Sequence, residues 1–89
     1  MTVRRRVRAH GRVQGVFFRD SVRRAAEGDG VAGWASNRSD GTVEAVFEGP
    51  AAAVQRLVEL CRAGPGAAAV ERLDVIEEPP EGLTGFSVG

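Results

Sequence analysis

Between His10 and Phe18 the chain changes its periodicity, and no other feature restricts its fold so strongly. Upstream, Val3–His10 alternates, with Val3, Arg5, Val7 and Ala9 on one face and Arg4, Arg6, Arg8 and His10 on the other. Period two with β-branched valines reads as a strand with one wet face. Downstream, Phe18, Val22, Ala25 and Ala26 fall at i, i+4, i+7 and i+8, a single helical stripe. Asp20 suits the positive end of that helix, and Gly28 and Gly30 are expected to end it. The connection between the two periods, GRVQGVF (11–17), holds two glycines four residues apart. A strand that turns sharply into an amphipathic helix needs a sheet for that helix to lie on.

The rest of the chain supplies one. VAGWASN (31–37) reads as a strand, and RSDG (38–41) as a tight connection whose Asp-Gly is a strong hairpin signal. TVEAVFE (42–48) places Val43, Ala45 and Phe47 opposite Thr42, Glu44 and Glu48. Gly49-Pro50 leads into a second helix, AAAVQRLVELCRA (51–63), with the stripe Val54, Leu57, Val58 and Cys61, and Gly64-Pro65-Gly66 stops it. VERLDVIEE (70–78) is a strand whose apolar residues do not keep one parity, which predicts a bulge or a later start. GFSVG (85–89) offers a short last strand. The order βαββαβ predicts an α+β, ferredoxin-like sandwich: two helices on one face of an antiparallel sheet, with a short extra C-terminal strand. At 89 residues, one domain spanning 1–89 is expected.

The lone Cys61 allows no intrachain disulfide or cysteine-based zinc site, and argues for a reducing compartment. With no visible signal peptide and no apolar run that could cross a bilayer, a cytoplasmic monomer without membrane association is expected. Twelve basic residues, all arginine, balance twelve acidic ones, but unevenly. Residues 1–24 hold eight arginines against Asp20 alone, whereas 71–89 hold five acidic residues against Arg72. Either an anion binds near the N-terminal half, or strands of opposite sign lie side by side; the second reading is favoured.

The connection at 11–19 is suited to anions. Glycines permit positive φ and let successive N–H groups face one point, a helix start adds unpaired N–H groups and dipole, and Arg19 offers a planar bidentate cation. It lacks the lysine and the following hydroxyl of a nucleotide P-loop. By itself, G-x-x-x-G-x-x-x-R is a weak signal, and a glycine turn followed by an exposed arginine is the favoured reading of it.

Several segments of the chain, taken together, are more specific. GRVQGVFFR, then GW-x-x-N (33–37), DGTVE (40–44) and EGP (48–50), resemble the acylphosphatase family, whose pattern is V-x-G-x-V-Q-G-V-x-F-R, G-W-V-x-N, D-G-x-V-E and E-G in that order and spacing. Gly64-Pro65, Val70 and Phe86 continue the likeness over nearly the whole chain. The resemblance implies the ferredoxin-like fold and metal-independent hydrolysis of acyl (carboxyl) phosphates to carboxylate and inorganic phosphate, with no cofactor and no metal. The family's catalytic arginine falls on Arg19 and its catalytic asparagine on Asn37. Its phosphate-holding backbone amides fall on Gln14, Gly15, Val16, Phe17 and Phe18. Phe17 stands where the family often has glycine, and Ala35 and Ser36 replace a valine and a basic residue.

This chemistry suits the residue types. A carboxylate leaving group, with a pKa of about 4 by analogy with side-chain acids, departs unprotonated, so no general acid is required. What remains is to hold the phosphoryl group, balance its charge and aim a water. Two other classes are weighed against an enzyme. A binding module on the same fold would hold phosphate or carbamoyl phosphate without turnover. A nucleic-acid binder would use RRRVR, but the strands offer no paired exposed aromatics for base stacking, so no nucleic-acid partner is expected. His10 reads as a strand-end residue, Cys61 as core, Trp34 as a half-buried strand aromatic and Arg38 as solvated.

Overall fold

The computed structural model describes residues 1–89. Strand β1 (Thr2–Arg12) leads through the glycine loop into helix α1 (Phe18–Asp29). Strand β2 (Ala32–Asn37), strand β3 (Val43–Pro50), helix α2 (Ala51–Ala63), strand β4 (Ala69–Glu78) and strand β5 (Phe86–Val88) follow. The strands form one sheet in the order β4-β1-β3-β2-β5, antiparallel except where β5 runs parallel to β2. Both helices pack on one face, as a ferredoxin-like α+β fold requires.

Periodicity explains the layers. Val7 and Ala9 of β1 face the helices beside Ala45 and Val43 of β3, and Phe18, Val22 and Ala26 of α1 close over them with Val54, Leu57, Val58 and Cys61 of α2. Burial pushes the Cys61 thiol up to about 12, so at neutral pH it is an inert core side chain. Helix α1 runs through Gly28 and is capped by Gly30 alone, whose N–H reaches the carbonyls of Ala26 and Glu27. A bulge, one of the two causes expected, accounts for Val70 in the irregular parity of β4, while Ile76, opposite Arg6, stays exposed on the face away from the helices. The β1–β4 register shifts between His10 and Gly11, so that His10 faces Arg72 and Gly11 faces Val70. Glu71 is the extra residue of a bulge, which returns Val70 to the face of Leu73 and Val75.

The uneven charge is resolved within the sheet. On the face away from the helices, β1 lies between the acidic residues of β3 and β4. Arg4 bonds Glu48 at 3.0 Å and Glu78 at 2.8 Å; Arg6 bonds Glu78 at 2.7 Å and Glu44 at 3.1 Å. Thus this face is not simply wet: Arg4 is 3% exposed and Glu48 4% exposed. Opposite charges on adjacent strands let the central strands bury polar side chains without leaving them unpaired.

Glu48 also ties down the C-terminal segment, accepting the backbone N–H groups of Glu81, Gly82 and Leu83 at 3.1, 2.7 and 3.1 Å. Burial raises its carboxyl pKa, but those N–H groups and Arg4 outweigh burial and bring it to about 2. A folded-state value below the ordinary 4.5 stabilises the fold fully above that pH, and the stabilisation is lost as pH falls toward 2. Glu48→Gln is therefore expected to lower Tm at pH 7 by on the order of 10 °C and to flatten the acid limb of a Tm–pH curve. An unchanged acid limb in calorimetry would contradict this assignment.

Candidate active site

The glycine loop and the β2–β3 hairpin meet at one end of the sheet. The loop turns because Gly15 takes φ +72°, and because Phe17 takes φ 63° and ψ 22°, left-handed values that suit glycine. Phe17 is the only non-glycine residue with positive φ, and its side chain is 74% exposed. Glycine at this position would carry neither the strain of a Cβ at positive φ nor an exposed ring. Phe18 then buries its ring in the core and starts α1. Gly66 supports the loop from behind: a Cβ there would approach the Val16 carbonyl oxygen to 2.6 Å.

A cleft of about 270 Å³ opens between these elements. Of the residues singled out in the sequence, Gly15, Phe17, Phe18, Arg19 and Asn37 line it. Gln14 and Val16 do not. Gln14 sends its side chain to the hairpin, and Val16 packs against the core with its carbonyl bonded to the Ala67 N–H at 3.3 Å. Asn37 ends β2 opposite Val43, on the helix side of the sheet, and its side-chain amide makes no hydrogen bond within the protein. The amide N–H groups of Gln14, Gly15, Val16 and Phe17 likewise have no backbone or side-chain acceptor. A run of unpaired N–H groups ending at a helix N-terminus is chemically an anion cradle.

Charge singles out the same place. Ten of the twelve arginines are ion-paired with an Asp or Glu side chain; the two that are not are Arg12 and Arg19, one on each side of the loop. Arg19 donates one N–H to the backbone oxygen of Gly89, leaving four of its five donors uncommitted. The adjacent Asp20 also lines the cleft, where its charge would repel an anion. Its carboxylate is held by Arg23 at 2.6 Å and Arg24 at 2.8 Å, which keep its pKa below the usual range. In the sequence Asp20 stands out only as suited to the helix dipole, while the arginines at i+3 and i+4 are the legible sign of its neutralisation.

The remaining candidates lie elsewhere. His10 bonds Asp74 at 2.8 Å on the sheet and does not reach the cleft. Arg38 bonds Glu44 at 2.7 Å, and its guanidinium and that of Arg6 each lie 5.5 Å from the Trp34 ring, all on the sheet face away from the helices. No helix is long and apolar enough to cross a membrane.

Comparison with known proteins gives a consistent result. A family model described as Acylphosphatase matches residues 5–88. An acylphosphatase of Gloeobacter violaceus is 63% identical over 86 residues, covering 92% of each chain. One from Rubrobacter xylanophilus is 58% identical over 88 residues, covering 98% of this chain and 80% of its own. The crystal structure of acylphosphatase from Bacillus subtilis superimposes with a TM-score of 0.92 at 40% identity, over 98% of both chains.

Proposed function

The chain belongs to the acylphosphatase family and is a hydrolase of that kind, and from that premise we propose that the cleft between the glycine loop and Asn37 hydrolyses small acyl phosphates without a metal. The observation that carries this reading is the meeting of three uncommitted groups at one cleft: the unpaired amides of the loop, of which Gly15 and Phe17 line the cleft, Arg19, which no Asp or Glu side chain holds, and the unbonded Asn37 amide. In this reading the substrate's phosphate oxygens accept the N–H groups of Gln14, Gly15, Val16, Phe17 and Phe18, and Arg19 grips two of them with permanent charge. The Asn37 amide orients a water in line with the bond to the leaving group.

Water then forms the new P–O bond as the bridging P–O bond breaks, and the acyl oxygen leaves as a carboxylate. An amide cannot act as a base at neutral pH, so the proton of the attacking water passes to a phosphate oxygen, giving carboxylate and dihydrogen phosphate. The substrate dianion thus serves as its own base. His10, held at Asp74, has no part, and His10→Gln is expected to leave the pH–rate profile unchanged. A limb between about pH 6 and 7 that vanishes in this variant would contradict the scheme.

Arg12 is proposed to attract substrate without touching it. Arg12→Ala should lower kcat/KM by about 2- to 5-fold at low ionic strength, with kcat unchanged and the difference disappearing in high salt. A salt-independent loss, or a loss in kcat, would place Arg12 in the chemistry instead. Hydrolysis of benzoyl phosphate in EDTA tests the function itself. Sustained turnover, with inorganic phosphate as competitive inhibitor, is the expected result; tight phosphate binding without turnover would make the domain a binding module.

A further inference from the structure

Gln14 contributes more than a backbone amide. Its side-chain Nε2 lies 2.8 Å from the carbonyl oxygen of Arg38 and 2.9 Å from that of Thr42. Both partners are acceptors, so the orientation of the amide is fixed, with the NH₂ toward the hairpin. The two carbonyls belong to the residues that open and close the turn. Each is already bonded once within it, Thr42 O by the Arg38 N–H at 2.8 Å and Arg38 O by the Gly41 N–H at 3.1 Å. Gln14 fills the second lone pair of each.

The site has two halves, and they are carried by different elements. The amides and Arg19 belong to the loop and α1; Asn37 belongs to the end of β2, one residue before Arg38. No other hydrogen bond or ion pair joins residues 13–19 to residues 36–42. On its far side the loop is tied instead to the 66–67 turn, through the Val16 carbonyl. We propose that Gln14 is a positioning residue, whose side chain sets the distance between the phosphate held by the loop and the water held by Asn37. This rests on the reading of the site given above.

A reacting atom misplaced by about 1 Å can cost on the order of 100-fold in rate. Two variants remove the clamp differently. Gln14→Glu keeps the shape but turns an acceptor toward two carbonyls, and Gln14→Met keeps the volume with no donor. In folded protein, both are expected to lower kcat for benzoyl phosphate by about 10- to 100-fold. The inhibition constant of inorganic phosphate should stay within about 3-fold, because the loop amides and Arg19 remain. The decisive arm is a double-mutant cycle: in an Asn37→Ala background, Gln14→Met should lower kcat by less than about 2-fold, since no positioned water remains to be misplaced. A full loss in that background, or loss of phosphate affinity in step with kcat, would make the clamp a support for loop folding and overturn the proposal. So would an unchanged kcat in folded Gln14→Met. Full activity in Asn37→Ala alone would overturn the underlying reading of the site, a result distinguishable from the others.

Discussion

Arg19→Gln is expected to reduce kcat/KM for benzoyl phosphate by about 100- to 1,000-fold, the usual cost of removing one preorganised donor from a developing anion. Glutamine retains a planar NH₂ but carries no charge and cannot grip two phosphate oxygens. No other cation can take over: ten arginines are held by carboxylates, and Arg12 does not line the cleft. The substitution should scarcely affect the fold, because the Arg19 side chain is bonded only to the Gly89 backbone oxygen. A Tm within about 3 °C of the parent is expected. Arg19→Lys should recover only part of the activity, since an ammonium supplies charge without the fork. A folded Arg19→Gln variant within about 3-fold of the parent would remove the guanidinium from the mechanism.

Asn37→Ala is expected to be as damaging in kcat, again about 100- to 1,000-fold, but with a different signature. Its partner in the scheme is the attacking water, so the inhibition constant for phosphate should move by less than about 3-fold. A residue acting only in the transition state lowers kcat and kcat/KM together while leaving ground-state binding intact. The substitution leaves no protein group unpaired, because the Asn37 amide makes no hydrogen bond within the fold. Loss of phosphate binding in proportion to kcat would place Asn37 in the cradle rather than over the water.

The fold was largely legible because both of its periods are plain. The alternation of β1 and β3 and the stripes of α1 and α2 each mark the face on which sheet and helices meet, and the Asp-Gly turn fixes how β2 meets β3. Even the bulge in β4 was visible as a break in parity. The charge lattice was legible only as one of two readings. Which arginine meets which carboxylate depends on strand order, and β1 becomes central only once β4 pairs with it. Arg19 and Asn37 stand out in the sequence through the motifs that hold them; that they line one cleft is a matter of tertiary structure. The side-chain clamp of Gln14 was not legible at all. Glutamine carries no local signal for a bond to carbonyls 24 and 28 residues away. Nor did the sequence disclose that Phe17 adopts a left-handed conformation, although its place in a position often filled by glycine was a hint.

Phosphate is proposed to be held by the Gln14–Phe18 amides and Arg19, beside Asn37, rather than by the arginine-rich face of the sheet. Titrating ¹⁵N-labelled protein with inorganic phosphate, and following amide and arginine side-chain resonances, tests this residue by residue. Saturable downfield shifts of the Gln14–Phe18 amides and of the Arg19 guanidinium are expected, with Arg4, Arg6 and Arg8 undisturbed. Shifts confined to Arg4, Arg6, Arg8 and their carboxylate partners, with the loop amides unmoved, would contradict it.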